Sequence, residues 1–318
     1  MNKVNYMSCL YRWQHILYMA LFLLTQSTGC TSSAYKTKEE LDIQYQSRKY
    51  VYKKVNIHYI DQGAGSTIVL IHGFGASSYS WRYVIDSFSK NHRIIAIDMK
   101  GFGLSDKPLD DKYKIEDQSD LVISLCDELG LRDFTLAGHS FGGAVALVTY
   151  LKFLDSGRNP VSKMILIGSA SYKQDFPYFI NILRLPVVNY MSLLLMPDKF
   201  NTRTLLSKAF FDDTKITESM TNTYAYYLSL PGAYHSLIST ADQIIPSNID
   251  SIVDRYKEIK VPVLVIWGGE DKIVPLENGQ RLIKDIPNAR LHVVRSCGHL
   301  PQEECPVETI RAIKAFLE

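Results

Sequence analysis

The sequence predicts an α/β protein: a mainly parallel sheet with helices on both faces and a helical cap inserted late in the sheet. Three observations carry this expectation. Apolar strand-like runs alternate with helix-like runs from Thr67 to the C-terminus, as in sheets whose strands are joined by crossover helices. Gly138-His139-Ser140-Phe141-Gly142 links one such strand to the next helix. Asp271 then stands just past the run Val263–Trp267, and His299 just past Arg290–Arg295.

The first thirty residues read as a targeting segment. Lys3 and Arg12 precede the short apolar run 16–24, which gives way to Thr25-Gln26-Ser27-Thr28-Gly29-Cys30. Such a run is short for a bilayer-spanning helix and suits the apolar core of a signal peptide. The ending is similar to a bacterial lipoprotein cleavage box, with Ser27 where that pattern has Leu. The resemblance implies acylation of Cys30, export to the cell envelope and a membrane anchor, with Thr31 pointing to outward sorting. An ordinary cleaved signal or an uncleaved anchor are the alternatives. Residues 31–48 are polar and read as a tether.

Composition bounds the rest. The chain has 318 residues, 46% hydrophobic and 21% charged, with 35 basic and 33 acidic side chains and a formal net charge of +2. That is ordinary globular material for one large α/β domain or two small ones. No basic run stands out, which argues against a nucleic-acid partner. Neither CxxC nor HExxH occurs, so no metal site is expected. Past the signal and Cys30 remain Cys126, Cys297 and Cys305. A Cys297–Cys305 bridge is conceivable in an oxidising compartment, but separate buried thiols are the expectation.

Residues 49–171 and 252–318 are assigned to the sheet domain. Lys49–Lys53 and Val55–Asp61 alternate and predict an edge hairpin, closed off by Gly63-Ala64-Gly65. Thr67–Ile71 is continuously apolar, as a strand covered on both faces must be. A helix around Trp81–Ser89, a strand Arg93–Ile97 and a helix Ile115–Leu129 follow, then a strand Phe134–Ala137, a helix Gly143–Leu154 and a strand Lys163–Ile167. Beyond the insert come the strand Val263–Trp267, a helix Glu277–Ile286, the strand Arg290–Arg295 and a helix Val307–Leu317. Residues 172–251 break this rhythm. They are rich in Leu, Tyr, Phe and Met and punctuated by five prolines, too apolar and too long for a loop. A helical cap over the carboxyl edge of the sheet is expected, with extra helices packed at its side as the alternative.

Ser140, flanked by glycines where a strand turns into a helix, fits a sharp elbow that holds its hydroxyl out at the sheet edge. A serine nucleophile needs a base, and the base needs an orienting acid. His299 and Asp271 fill those places in the order serine, acid, histidine, each at the carboxyl end of its own strand, where open sheets bind ligands. Glu270 is the alternative acid. His139 reads as structural, Asp98 as a turn-former and His235 as a solvated helix residue of the insert. Gly101-Phe102-Gly103 lacks the third glycine of a dinucleotide loop, since Asp106 stands there.

At this point the chain resembles the α/β-hydrolase superfamily over nearly all of residues 50–318. His72-Gly73-Phe74-Gly75 is similar to its oxyanion-loop motif. Asp98-Met99-Lys100-Gly101-Phe102-Gly103-Leu104-Ser105 is similar to the D-x-x-G-x-G-x-S turn of the capped branch. Trp267-Gly268 with Asp271 and Pro275 resembles the acid loop, and Gly298-His299 with Pro301, Glu304 and Pro306 the histidine loop. The resemblance implies catalysis by Ser140, His299 and Asp271. It implies an oxyanion hole from the backbone N–H groups of Phe74 and Phe141, loop support from His72, Gly73 and Gly75, and no cofactor. Haloalkane dehalogenases and epoxide hydrolases of this branch carry an aspartate nucleophile, which Ser140 argues against. The expected activity is hydrolysis of carboxylic esters of hydrophobic acyl or alkyl groups. A carbon–carbon bond hydrolase is the second reading. Such enzymes need a cation for an acidic substrate, and Arg184 and Arg203 are the insert's only arginines. A non-catalytic ligand receptor is the third.

Overall fold

The computed structural model describes residues 45–175, 178–185 and 198–318. The expected signal segment with Cys30 and most of the expected tether lie outside the described residues, as do residues 176–177 and 186–197 of the insert.

Eight strands form one sheet: β1 (Ser47–Tyr52), β2 (Val55–Gln62), β3 (Ser66–Ile71), β4 (His92–Ile97), β5 (Phe134–His139), β6 (Val161–Ile167), β7 (Val263–Gly268) and β8 (Ala289–Val294). Their spatial order is β1-β2-β4-β3-β5-β6-β7-β8. β1 and β2 form the expected hairpin, and β2 runs antiparallel to β4. All remaining pairs are parallel. The hairpin turns on Lys53 and Lys54 with φ of 48° and 71°. A two-residue type I′ turn requires left-handed backbone at both positions. No Asn-Gly pair announces this turn, so cross-strand pairing overrides local preference. β1 also begins at Ser47, inside the expected tether, because Ser47 pairs with Ile60.

Side chains of each strand divide by alternation between two faces. Val69 and Ile71 of β3, with Val263, Val265 and Trp267 of β7, share one core with α2 (Ile115–Glu128) and α3 (Phe141–Asp155). Ile68 and Leu70, with Leu264 and Ile266, share the other with α1 (Arg82–Phe88) and a C-terminal helix, Pro306–Leu317. Both faces of the central strands are thus covered, which is why they read as unbroken apolar runs.

Between β6 and β7 lie five helices among the described residues: α4 (Tyr178–Leu183), α5 (Asp198–Ala209), α6 (Glu218–Ser229), α7 (Ala233–Gln243) and α8 (Ile249–Val253). They pack on the loops beyond the carboxyl ends of the strands. Leu206, Phe210, Met220 and Tyr227 cluster with Tyr79 and Leu300. Ile180, Ile238 and Ala241 cluster against Phe74. α8 runs across residues 251 and 252, where the sequence reading ends the insert, because Ile252 joins the main core. The Tyr256 hydroxyl, donating to Ser171 O at 2.7 Å, ties the two flanks of the insert together. α9 (Leu276–Asp285), α10 (Pro301–Glu304) and α11 (Pro306–Leu317) complete the chain.

Candidate active site

Ser140 joins β5 to α3 with φ 53° and ψ −119°, a backbone state that L-residues adopt only when their surroundings impose it. The surroundings are main chain. Ser140 N donates to Ile167 O at 2.9 Å, and Ser140 O accepts from Gly143 N at 2.9 Å and Ala170 N at 3.0 Å. A Cβ on Gly142 would lie 2.3 Å from His72 O and 2.4 Å from Ile71 O. Only glycine lets α3 start this close to the end of β3.

Asp271 and His299 meet from two loops. His299 Nδ1 stands 2.8 Å from Asp271 Oδ2, and the aspartate side chain is wholly buried. Asp271 Oδ1 accepts from Ile273 N at 2.8 Å and Val274 N at 2.9 Å. A carboxylate facing Nδ1 makes that nitrogen the N–H of the ring and leaves the Nε2 lone pair free to accept a proton. Glu270, the alternative acid, is exposed.

The loop expected to form an oxyanion hole lies against the serine. A Cβ on Gly73 would be 3.2 Å from Ser140 Cβ and 2.7 Å from His139 Nδ1, so a side chain there would press on Ser140. Phe141 opens α3, and helix geometry leaves the N–H of a first-turn residue without an intrahelical partner. Phe74 packs edge-on against Phe102 at 6.2 Å. Gly75 lies at φ 69° beneath Leu237 of α7.

His72 shapes this loop. Its Nδ1–H donates to Gly73 O at 2.7 Å, while Nε2 accepts from Met99 N at 3.0 Å. Both ring nitrogens are committed, and burial lowers the ring's pKa. Asp98 organises the neighbouring loop by accepting from Ser78 N at 2.6 Å, Leu104 N at 2.8 Å and His58 Nδ1 at 2.8 Å. Burial alone would raise this carboxyl, but His58 and the backbone donors hold it well below the usual range. His235 faces Asp110 O at 2.8 Å, away from the serine.

One residue does more than the sequence suggested. His139 Nε2–H donates to the backbone oxygen of His299 at 2.8 Å, and the two imidazoles lie 4.8 Å apart. Burial, then the neighbouring His299, push the His139 pKa well below its ordinary value. The neutral ring backs the histidine loop. Adjacency to Ser140 was the available signal, and only the tertiary packing gives it this role.

Both insert arginines are exposed, and Arg203 Nη1 donates to Ile216 O at 3.2 Å. A cation that borders the space between core and insert is Lys107. It lines a narrow pocket with Gly75, Phe102, Tyr227 and Leu237. Its Nζ donates to Gly103 O at 2.7 Å and Ser105 O at 2.9 Å, and burial pulls its pKa down to about 8. The sequence reading passed over it because it lies in the turn after β4 and not in the insert. A larger cleft, about 390 Å³, lies among Lys215, Glu304, Cys305 and Arg311; neither it nor the narrow pocket is lined by Ser140, Asp271 or His299. Cys126, Cys297 and Cys305 are free thiols.

With this geometry in place, comparison with known proteins defines the class. The alpha/beta hydrolase fold profile matches residues 66–306, and the chain belongs to that family of hydrolases. An uncharacterized hydrolase, YugF, of Bacillus subtilis is 30% identical over 276 residues, spanning 85% of this chain and 97% of the relative. The 2-hydroxymuconate semialdehyde hydrolase of Pseudomonas putida is 31% identical over 270 residues, 83% of this chain and 90% of that enzyme. Among solved structures, the meta-cleavage product hydrolase CumD of Pseudomonas fluorescens superposes with a TM-score of 0.72 at 29% identity, covering 85% and 97% of the two chains.

Proposed function

We propose that the chain cleaves a carbon–carbon bond beside a ketone in a small, carboxylate-bearing substrate, with Ser140 as nucleophile, His299 as proton carrier and Asp271 as its orienting acid. The observation that carries the substrate class is Lys107, which lines the narrow pocket beside Gly75 of the expected oxyanion loop. Two of its three ammonium protons are spent on carbonyls, so one remains for a substrate carboxylate. Relatives named as hydrolases of dienoates and dioates support the same class.

These assignments give the following chemistry. Ser140 Oγ passes its proton to His299 Nε2 as it attacks the keto carbon. The carbonyl electron pair moves to oxygen, where the N–H groups of Phe74 and Phe141 receive it, each worth about 3 kcal/mol. When the carbonyl re-forms, the adjacent carbon–carbon bond breaks. Its electron pair enters the conjugated chain, and the departing carbon takes the proton from His299. Water, deprotonated by His299, then frees the acyl group from Ser140.

Ester hydrolysis is the second reading, favoured by the apolar share of the pocket lining, Phe102, Leu228 and Leu237. The two separate in one experiment: consumption of a 2-hydroxy-6-oxo-dienoate, followed by its visible absorbance, against p-nitrophenyl butyrate. A higher kcat/KM on the dienoate is expected, and Lys107→Met should lower it by roughly 10- to 100-fold, the worth of a charged hydrogen bond, with a smaller loss on the neutral ester. Turnover of esters alone would establish the second reading. A receptor is disfavoured by the backbone strain at Ser140.

Export and acylation at Cys30 remain a separate proposal resting on residues 1–30. Labelled palmitate should enter the wild type and not Cys30→Ala in a bacterium with a lipoprotein pathway. An unlabelled, released wild type would leave an ordinary signal peptide.

A further inference from the structure

The main chain leading into His299 is bonded to the insert, directly and through Glu304. His299 N donates to Ala209 O, at the end of α5, at 2.6 Å. Gly298 N donates to Glu304 Oε2 at 2.6 Å. The same carboxylate reaches the insert, where Asp212 N donates to Oε1 at 2.8 Å and Phe211 N divides between the two oxygens at 3.1 and 3.2 Å. Glu304 is only 3% exposed, and no cation lies within ion-pair distance among the described residues. Three backbone N–H groups hold its charge instead, through hydrogen bonds about twice as strong as neutral ones.

The joint has no slack. A Cβ on Gly298 would lie 2.3 Å from Ala209 O and 2.7 Å from Phe211 N. A second strut stands beside it. Tyr224 OH of α6 donates to Glu303 Oε1 at 2.7 Å, and Arg82 Nη1 donates to Glu303 Oε2 at 2.5 Å. The turn that follows His299 is thereby held from the insert and from α1 together.

We propose that Glu304 is a positioning residue, joining the insert to the histidine loop so that the seat of the insert over the sheet sets the position of His299. The proposal rests on the reading of His299 as the base. A substrate that enters beneath the insert and shifts the α5–α6 connection moves the His299 imidazole toward or away from Ser140, so occupancy of the space beneath the insert and readiness of the base are linked. A role in stability alone would lower the unfolding midpoint of a Glu304 variant and leave its folded molecules fully reactive.

The test measures fluorophosphonate labelling rates, and kcat and KM on p-nitrophenyl butyrate, at a temperature where circular dichroism shows every variant folded. Glu304→Gln keeps the size and one carbonyl acceptor but loses the second acceptor and the charge. Labelling and kcat should fall on the order of 10²-fold, the cost of a displacement near 1 Å, with KM nearly unchanged. Gly298→Ala should do the same from the other side of the joint, and the double variant should be no worse than the worse single one, because both break one contact. Should Glu304→Gln fail to fold, Tyr224→Phe cuts only the second strut and should slow labelling several-fold. Folded Glu304→Gln, or in its absence Tyr224→Phe, labelling at the wild-type rate overturns the proposal, as do losses that simply multiply. A wild type that resists the probe would remove the nucleophile reading and this proposal with it.

Discussion

Ser140 and His299 stand at one edge of one sheet, yet they are held in different ways. The serine is fixed by the core alone: β5 before it, α3 after it, Ile167 O and Ala170 N beside it. The histidine depends on residues far apart in the chain. Asp271 orients its ring, His139 supports its carbonyl, and Ala209 of the insert takes its N–H. The seat of Ser140 is therefore a property of a local strand–turn–helix unit. The seat of His299 is a property of the core and the insert jointly. A hydrolase built this way can alter its insert and adjust His299 without disturbing the elbow.

The sharpest break in this comparison removes the nucleophile and nothing else. Ser140→Ala should cut turnover on the order of 10⁶-fold, while the unfolding midpoint stays near that of the wild type, because the hydroxyl has no part in the elbow's hydrogen bonds. Activity that survives would place the chemistry elsewhere. A smaller effect, on stability, comes from the histidine side. Arg82→Met strands Glu303, which is 4% exposed, and breaking one partner of a buried pair costs about 3–5 kcal/mol. Lys199→Met, in the exposed pair with Glu218, should cost no more than about 1 kcal/mol. Urea unfolding of the two variants makes the contrast, and equal losses would refute it.

Mild acid should act on both regions at once. His72 and His139 are buried with pKa values held below the ordinary 6.5 by burial, so the unfolded chain takes up protons first as pH falls. Their stability contribution is complete above 6.5 and declines below it, by up to about 1.4 kcal/mol per pH unit for each. Urea unfolding at pH 7.5 and 5.5 reads this slope, and equal stabilities would contradict it. The smallest effect concerns Lys107. With its pKa near about 8, preference for the acidic substrate over the neutral ester should fade as pH rises through that value. A preference constant to pH 9.5 would take Lys107 out of substrate binding.

Much of this arrangement is legible in the sequence, for identifiable reasons. Central strands covered on both faces must be apolar without interruption, so β3, β5, β6 and β7 stand out. Asp271 and His299 lie just beyond β7 and β8, where parallel strands deliver them to one edge. Other features are silent. Lys53 and Lys54 carry no turn signature, and the β1–β2 register, not their own preference, turns the chain. Lys107 looks like one more charged residue in a polar turn until Tyr227 and Leu237 enclose it. Glu304 matches a motif position, but its partners Phe211 and Asp212 offer backbone N–H groups, which any residue but proline possesses.

Periodicity and small-residue spacing, which depend on near neighbours, were enough to determine the sheet and the strand–turn–helix elbow at Ser140, and to single out Asp271 and His299 as candidates. The tertiary structure alone decided which residues enclose Lys107 and what holds His299 in place. Those choices rest on backbone groups and on burial. The first are the same for nearly every residue type, and the second is a property of the surroundings, so neither leaves a mark in the order of the letters.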